Sequence, residues 1–364
     1  MKRSFADILT QLDGDRAQKV ARKLPAWASA GIEIPSTLSL EQCSSSATAA
    51  YKASLVGQIK TLLDLTGGLG VDSWAFSQVA GRVVYFEQNA ELAAAAGRNF
   101  AKLGADNIEV RNETVTPETE LPEADLIYAD PARRSAAGRK VFLLEDCTPD
   151  ILTLLPMLLR KAPAVLLKLS PMADLAMLAG RLGPALREIH VVESDGEVKE
   201  LLCLLERDAE PAEPEIVLVR LSGQETGSFR FRATEEREAE ARFAAGVQAG
   251  DTLLEPCPAL LKAGAFKLPC ARWELQKLAP STHLYLGEAD AWFKAWRVAE
   301  VLPFGAAAFK QLKRQYPRAE VTARNLPLGS DALRKKLGIA PGGDVHIFAC
   351  RLADERAVLL VCSR

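Results

Sequence analysis

The chain has 364 residues, long for a single core and enough for two or three domains. With 48% hydrophobic and 25% charged residues its composition is that of a soluble globular protein, and no apolar run reaches the roughly 18 residues that a membrane helix needs. A net charge of −2 gives no global nucleic-acid signal, and three histidines with seven scattered cysteines, none in a C-x-x-C pair, argue against a metal site. Met1-Lys2-Arg3 leads into mixed polar sequence and not into an apolar signal core, and unpaired thiols fit a reducing compartment, so the expected location is the cytoplasm, with no membrane or metal partner.

Residues 1–60 read as a helical extension. Phe5, Ile8, Leu9 and Leu12 recur at helical spacing, and Val20 and Leu24 continue the pattern up to Pro25. Gly31 to Pro35 breaks it, and Ser44-Ser45-Ser46 can cap a helix through Ala47, Tyr51, Leu55 and Ile59. The extension either packs against the next domain or supplies part of a substrate site.

Leu62-Leu63-Asp64-Leu65-Thr66-Gly67-Gly68-Leu69-Gly70-Val71-Asp72 organises the domain after the extension. Leu62 and Leu63 end a buried parallel strand, Gly67, Gly68 and Gly70 form a tight loop, and a helix runs from Asp72 to Ala80. Glycines lack a Cβ and tolerate positive φ, so backbone can approach a ligand closely. Val83-Val84-Tyr85-Phe86-Glu87 is a second strand ending in an acid, followed by Gln88. Glu87 stands 20 residues after Gly67, the distance at which an acid reaches the ribose hydroxyls of a bound nucleoside. The glycine spacing departs from the dinucleotide fingerprint G-x-G-x-x-G, and Asp64 would crowd a pyrophosphate with negative charge. S-adenosylmethionine, with a sulfonium, an amino group and no phosphate, suits the acid better than a dinucleotide does. A strand-turn-helix with no ligand is the remaining alternative.

A helix over Glu91 to Leu103 ends at Gly104, and Ile108 to Val110 is a third strand. Asn112 and Glu113 follow its end, where an exposed turn is one reading of Glu113. Leu126 to Tyr128 form a fourth, central strand with Asp130-Pro131-Ala132-Arg133-Arg134 at its carboxyl end, beside the switch point where open α/β sheets bind ligands. Arg133, Arg134, Arg139 and Lys140 make a small basic cluster, either a polyanion contact or a surface loop. Cys147 reads as buried and not nucleophilic. Ala164 to Leu169 is a fifth strand, in which Lys168 either points into the cleft or snorkels at an edge. A helix over Asp174 to Leu182 precedes a hairpin, Ile189 to Ser194 and Leu201 to Leu205, turning at Asp195-Gly196. His190 is a strand-face residue, and Glu197, Lys199 and Glu200 sit near the turn, either as surface charges or as family-specific contacts.

D-L-T-G-G-L-G-V-D followed by V-V-Y-F-E resembles motifs I and II of class I S-adenosylmethionine-dependent methyltransferases. The Asp130-Pro131 corner resembles motif IV of amino-group methyltransferases, D/N-P-P-Y/F/W, whose acid and backbone carbonyl accept hydrogen bonds from an exocyclic amine. Here Ala132 replaces the second proline and Arg133 the aromatic that stacks the target base. The resemblance implies a Rossmann-like α/β sheet that binds S-adenosylmethionine through Asp64, Thr66, Gly67, Gly68, Gly70, Glu87, Gln88, Asn112 and Glu113. Asp130, Pro131 and Arg133 then form the catalytic corner.

From Glu206 to Arg242 acids outnumber bases ten to six, and the pattern gives a strand over Glu215 to Leu221, answered by Phe229 to Phe231, then an acidic helix to about Val247. Leu254-Glu255-Pro256-Cys257-Pro258-Ala259-Leu260-Leu261 with Ser281 to Leu286, Val321 to Leu328 and Leu333-Arg334-Lys335-Lys336-Leu337-Gly338 are similar to a family in which a class I methyltransferase domain precedes ferredoxin-like and THUMP-like segments. The domains expected are 1–60 helical extension, 61–250 methyltransferase domain with added hairpin and acidic helix, 251–297 ferredoxin-like and 298–364 THUMP-like.

Bases outnumber acids eleven to six from Glu300 to Arg364, which permits polyanion binding. THUMP domains bind RNA, so the resemblance implies a tRNA or rRNA substrate gripped by Arg133, Arg134, Arg139, Lys140, Lys168, Arg324, Arg334, Lys335 and Lys336, with an exocyclic amine such as guanine N2 as acceptor. A methyltransferase for a small molecule or protein, and a non-catalytic RNA-binding protein that keeps the cofactor pocket, are the alternatives.

Overall fold

The computed structural model describes residues 14, 16–133, 144–222 and 225–364. The expectations for Phe5 to Leu12 and for Arg134, Arg139 and Lys140 lie outside the described residues. The chain divides into two units, Met1–Arg230 and Phe231–Arg364.

The first unit is built on strands β1 (Ile59–Asp64), β2 (Ala80–Phe86), β3 (Ile108–Arg111), β4 (Leu126–Ala129), β5 (Ala164–Leu169), β6 (Leu186–Ser194), β7 (Glu197–Glu206), β8 (Glu215–Ser222) and β9 (Glu225–Arg232). They lie in one sheet in the order β9-β8-β6-β7-β5-β4-β1-β2-β3. β1 to β5 are parallel and β7 runs antiparallel to both β5 and β6. Leu62, Leu63, Val83, Val84, Ile127, Val165 and Leu167 are fully buried, which explains why these strands read as unbroken apolar runs: a parallel sheet is covered on both faces.

Besides two short helices of the N-terminal extension, Pro25–Ser29 and Thr37–Gln42, the unit has α1 (Ser46–Val56), α2 (Val71–Ser77), α3 (Ala90–Lys102), α4 (Ile151–Lys161) and α5 (Leu175–Leu182). Ser45 caps α1 reciprocally with Thr48: its hydroxyl accepts from the Thr48 N–H at 3.2 Å, and the Thr48 hydroxyl accepts from the Ser45 N–H at 3.1 Å. α1 stops short of the expected Ile59 because Gly57 takes φ 66° and turns the chain into β1.

The N-terminal extension is part of the core. Trp27 is fully buried and meets Trp74 of α2 edge-on at 6.1 Å. Buried Asn99 of α3 accepts from the Glu33 N–H at 2.7 Å and donates to the Glu33 carbonyl at 2.8 Å. The strongest tie is electrostatic. Lys52, wholly buried on the face of α1 that also carries Thr48, Ala49 and Ala53, sits 2.7 Å from Glu200 of β7 and 3.3 Å from Asp72 of α2.

The second unit holds a seven-stranded mixed sheet of β10 (Thr252–Pro256), β11 (Gln276–Lys277), β12 (Tyr285–Leu286), β13 (Phe293–Pro303), β14 (Glu320–Arg324), β15 (His346–Arg351) and β16 (Ala357–Ser363), in the order β11-β12-β10-β13-β16-β15-β14. Helices Ala306–Gln315 and Ser330–Leu337 cover one face through Leu312, Leu333 and Leu337. Leu253, Trp296, Phe348 and Leu360 form the core on the other face.

The acidic helix is shorter than expected, Ala233–Glu238. Beyond it the chain is drawn into a bridge with Lys277: the Lys277 N–H donates to the Arg242 carbonyl at 2.7 Å and the Ala244 N–H to the Lys277 carbonyl at 2.9 Å. The helix sits in the second unit, where the Glu236 carboxylate accepts from the backbone N–H groups of Lys267 and Leu268.

Lys52→Met should cost about 3–5 kcal/mol in urea unfolding, since it strands two buried carboxylates. Adding Asp72→Asn and Glu200→Gln to Lys52→Met should recover part of that loss.

Candidate active site

The glycine loop is stitched to both neighbouring strands. Leu65 N–H donates to the Tyr128 carbonyl at 3.0 Å, and Gly67 N–H to the Phe86 carbonyl at 2.8 Å. A Cβ on Gly67 would lie 1.9 Å from the Tyr85 ring, and one on Gly70, which has φ +90°, would lie 2.5 Å from Phe100. Packing alone therefore demands those two glycines. A Cβ on Gly68, at φ +56°, would meet nothing closer than the Thr66 carbonyl oxygen at 3.8 Å, an ordinary contact. The Tyr85 hydroxyl donates to the Gly68 carbonyl at 2.5 Å and fixes the bend from below.

Asp64 is buried, and its two oxygens accept from the Thr66 N–H at 3.0 Å and the Ser73 hydroxyl at 2.6 Å. Burial pushes its carboxyl up to about 7. Asp64 thus shapes the loop from the floor of the cleft. Glu87 follows β2; its oxygens accept from the Gly68 N–H at 2.9 Å and the Asn89 N–H at 2.7 Å, and each keeps a lone pair for another donor.

At the end of β4 the Asp130 N–H donates to the Thr66 hydroxyl at 2.6 Å, joining the Asp-Pro corner to the glycine loop. The Asp130 carboxylate is ion-paired with the ammonium of Lys168 from β5. Of the two expectations for Lys168, the cleft is the one met: its side chain is 11% exposed and lines the same cavity as Asp130. Burial alone would lower its ammonium, but Asp130, with Asp72 and Glu200, outweighs that and holds it above the ordinary lysine value. A lysine so placed is not an exposed contact for an RNA backbone.

Behind this corner Asp72 accepts from the Tyr128 hydroxyl at 2.7 Å and the Ser44 hydroxyl at 2.9 Å. Burial would raise Asp72, yet Lys52 and Lys168 hold it below the usual carboxylate range. Glu200, expected near a turn, is buried, and burial outweighs Lys52 to raise it. Lys52 was not singled out from the sequence, and Ser44, Asp72 and Tyr128 were named only as parts of a cap, a helix start and a strand. The available signal was the register of Lys52, four residues after Thr48 on the face that buries Ala49 and Ala53.

One cleft of about 1040 Å³ gathers these groups. Asp64, Thr66, Gly67, Gly68, Gly70, Glu87, Gln88, Glu113, Asp130 and Pro131 all line it, as does the extension through Leu38, Gln42 and Ser44. Asn112 is not in the lining; its amide donates to the Glu87 and Gln88 carbonyls and braces the β2 loop. Arg133 pairs with Cys147 in a two-residue bridge, and only its backbone is described. Cys147 is fully buried. In the second unit Lys335 and Lys336 are exposed on one helix, while Arg324 pairs with Glu255 at 3.3 Å and Arg334 with Asp331 at 3.4 Å.

A sheet ordered β3-β2-β1-β4-β5-β7-β6, with a glycine bend after β1, an acid after β2 and Asp-Pro after β4, is the class I methyltransferase fold. Residues 253–291 match a ferredoxin-like domain family and residues 293–364 the THUMP domain-like family. The chain is similar to a proposed methyltransferase from Porphyromonas gingivalis W83, with 36% identity over 96% of this chain and 88% of that one and a TM-score of 0.86. It therefore belongs to the family of that protein, class I methyltransferases whose methyltransferase domain is followed by ferredoxin-like and THUMP-like domains. More distant likenesses are the tRNA (m1A58) methyltransferase TrmI from Aquifex aeolicus (20% identity, 42% of this chain and 54% of that, TM-score 0.32) and an rRNA methylase from Streptococcus thermophilus (12% identity, 44% and 93%, TM-score 0.33). No curated protein matches the sequence.

Gly67→Ala should lower stability by about 1–3 kcal/mol in urea unfolding, because the new methyl displaces the Tyr85 ring. Gly68→Ala, strained in φ but sterically free, should cost about 1 kcal/mol.

Proposed function

We propose that the protein is an S-adenosylmethionine-dependent RNA methyltransferase of the cytoplasm, acting on a base of tRNA or rRNA, with guanine N2 as the leading acceptor. The observation that carries this is the shared cleft: the glycine bend and the Asp130-Pro131 corner face one cavity and are tied by the Thr66–Asp130 hydrogen bond. The cofactor suits the residues present. Among the described lining residues six are acids, Asp64, Asp72, Glu87, Glu113, Asp130 and Asp150, against two lysines, Lys168 and Lys199. That balance favours a ligand carrying sulfonium and ammonium charges over a pyrophosphate. A Cβ on Gly68 would clash with no protein atom, so the bend there leaves room for a nucleoside.

In this reading Glu87 accepts from the ribose hydroxyls and Glu113 borders the adenine. The bound cofactor supplies an activated methyl group on cationic sulfur. Asp130 accepts a hydrogen bond from the target N–H and turns the nitrogen lone pair toward that methyl, and Pro131 keeps the corner rigid. Alignment of this kind supplies much of the rate. Arg133 stacks or clamps the target base, joined by Arg134, Arg139 and Lys140. Exposed Lys335 and Lys336, with Arg324 and Arg334, hold RNA phosphates.

Calorimetry should detect S-adenosylmethionine binding, weakened at least about tenfold by Glu87→Ala. Asp130→Ala should abolish methyl transfer to RNA from cells lacking the gene while sparing cofactor binding; wild-type turnover would remove Asp130 from the chemistry. Replacing Lys335 and Lys336 by Glu should weaken RNA binding and flatten its salt dependence by about one to two phosphate contacts; an unchanged affinity at low salt favours a small-molecule or protein substrate.

A further inference from the structure

β5 is apolar but for Lys168: Val165, Leu166, Leu167 and Leu169 are all buried. Ala129 of β4 is paired in register with Leu167 of β5, so Asp130 and Lys168 leave the two strand ends side by side. Among the described residues Asp130 is the one hydrogen-bond partner of the Lys168 ammonium. An ammonium carries three N–H donors, so two remain on a group whose side chain is only 11% exposed. Leaving such donors unmatched is costly, and the cleft they face is where an acceptor would enter. The Asp130 carboxylate gives one oxygen, Oδ2, to Lys168; the other has no partner among the described residues, and the side chain is 37% exposed. A donor and an acceptor thus stand next to each other at the cleft wall.

We propose that Lys168 and Asp130 together select a base in which an N–H adjoins a carbonyl, guanine or uracil, with Asp130 accepting the N–H and Lys168 donating to the carbonyl oxygen. This rests on the proposed RNA methyltransferase activity and moves its acceptor from guanine N2, which is flanked by ring nitrogens, to a ring N–H beside a carbonyl: guanine N1 or uracil N3. Adenine and cytosine also present a donor beside an acceptor, but their acceptor is a ring nitrogen conjugated to the amine. A cation there draws the amine lone pair into the ring and weakens the nucleophile. On guanine or uracil the same cation stabilises the negative charge that develops on oxygen as the N–H proton is lost. The target N–H proton passes to Asp130, and the nitrogen pair forms the new N–C bond to the methyl. The C–S bond breaks with its electrons staying on sulfur, which leaves as a neutral thioether. Asp130 then releases its proton to water.

RNA from cells lacking the gene, incubated with the full-length protein and radiolabelled S-adenosylmethionine and digested to nucleosides, should carry the label in 1-methylguanosine or 3-methyluridine. Label in N2-methylguanosine, methyladenosine or methylcytidine overturns the selection and leaves the RNA methyltransferase activity standing; no label in RNA overturns both. Lys168→Met should lower kcat by about 10²–10³-fold with cofactor affinity unchanged, as for loss of a preorganised donor to a developing oxyanion. Lys168→Arg should recover part of the loss, and Lys168→Gln serves if the Met variant does not fold. Wild-type kcat in Lys168→Met or Lys168→Gln contradicts the proposal.

Discussion

One hydrogen bond, from the Asp130 amide to the Thr66 hydroxyl at 2.6 Å, sets the geometry on which the site depends. β1 and β4 are adjacent parallel strands, with Asp64 opposite Tyr128. The connections leaving them go to opposite sides of the sheet, β1 toward β2 and β4 toward β5, and the crevice opens where they part. Two loops diverging from neighbouring strand ends have no reason to keep a fixed spacing. The Thr66 hydroxyl gives them one, so the glycine bend and the Asp-Pro corner form two walls of a single cleft.

Behind that cleft the fold places charge where apolar side chains would pack more simply. Lys52 is buried between Glu200 and Asp72, and Asp72 is further held by Ser44 and Tyr128. Buried pairs often contribute little net stability relative to an apolar replacement, since desolvation offsets the attraction. What this arrangement does fix is position. A lysine of the N-terminal extension, an aspartate of the helix after the glycine loop and a glutamate of the terminal hairpin can meet in one way only. The extension is thereby held where Leu38, Gln42 and Ser44 complete the cleft wall.

Much of the first unit was legible in the sequence because most of its strands are short apolar runs and its turns carry glycines or capping residues. β5 falls on the residues expected, and the hairpin turns at Asp195-Gly196, both with positive φ. The glycine bend was legible for a mixed reason: Gly67 and Gly70 answer to Tyr85 and Phe100, while a Cβ on Gly68 would clash with nothing. Lys168 was noticed as odd in its strand, but its partner could not be read, because the contact joins residues 38 apart. The Lys52–Glu200 pair spans 148 residues, and neither charge differs in sequence from a solvated one. The acidic helix was read too long because helix propensity continues past Glu238, while the tertiary bridge to Lys277 takes over the backbone. Local pattern reports local structure; burial of a charge is a property of the assembled fold.

A crystal structure of the protein with S-adenosylhomocysteine tests the central claim most directly. The account predicts the ribose against Glu87, the nucleoside over Gly68 and the sulfur facing Asp130 across the cleft. A nucleoside bound away from the glycine bend, or a sulfur turned from Asp130, would contradict it.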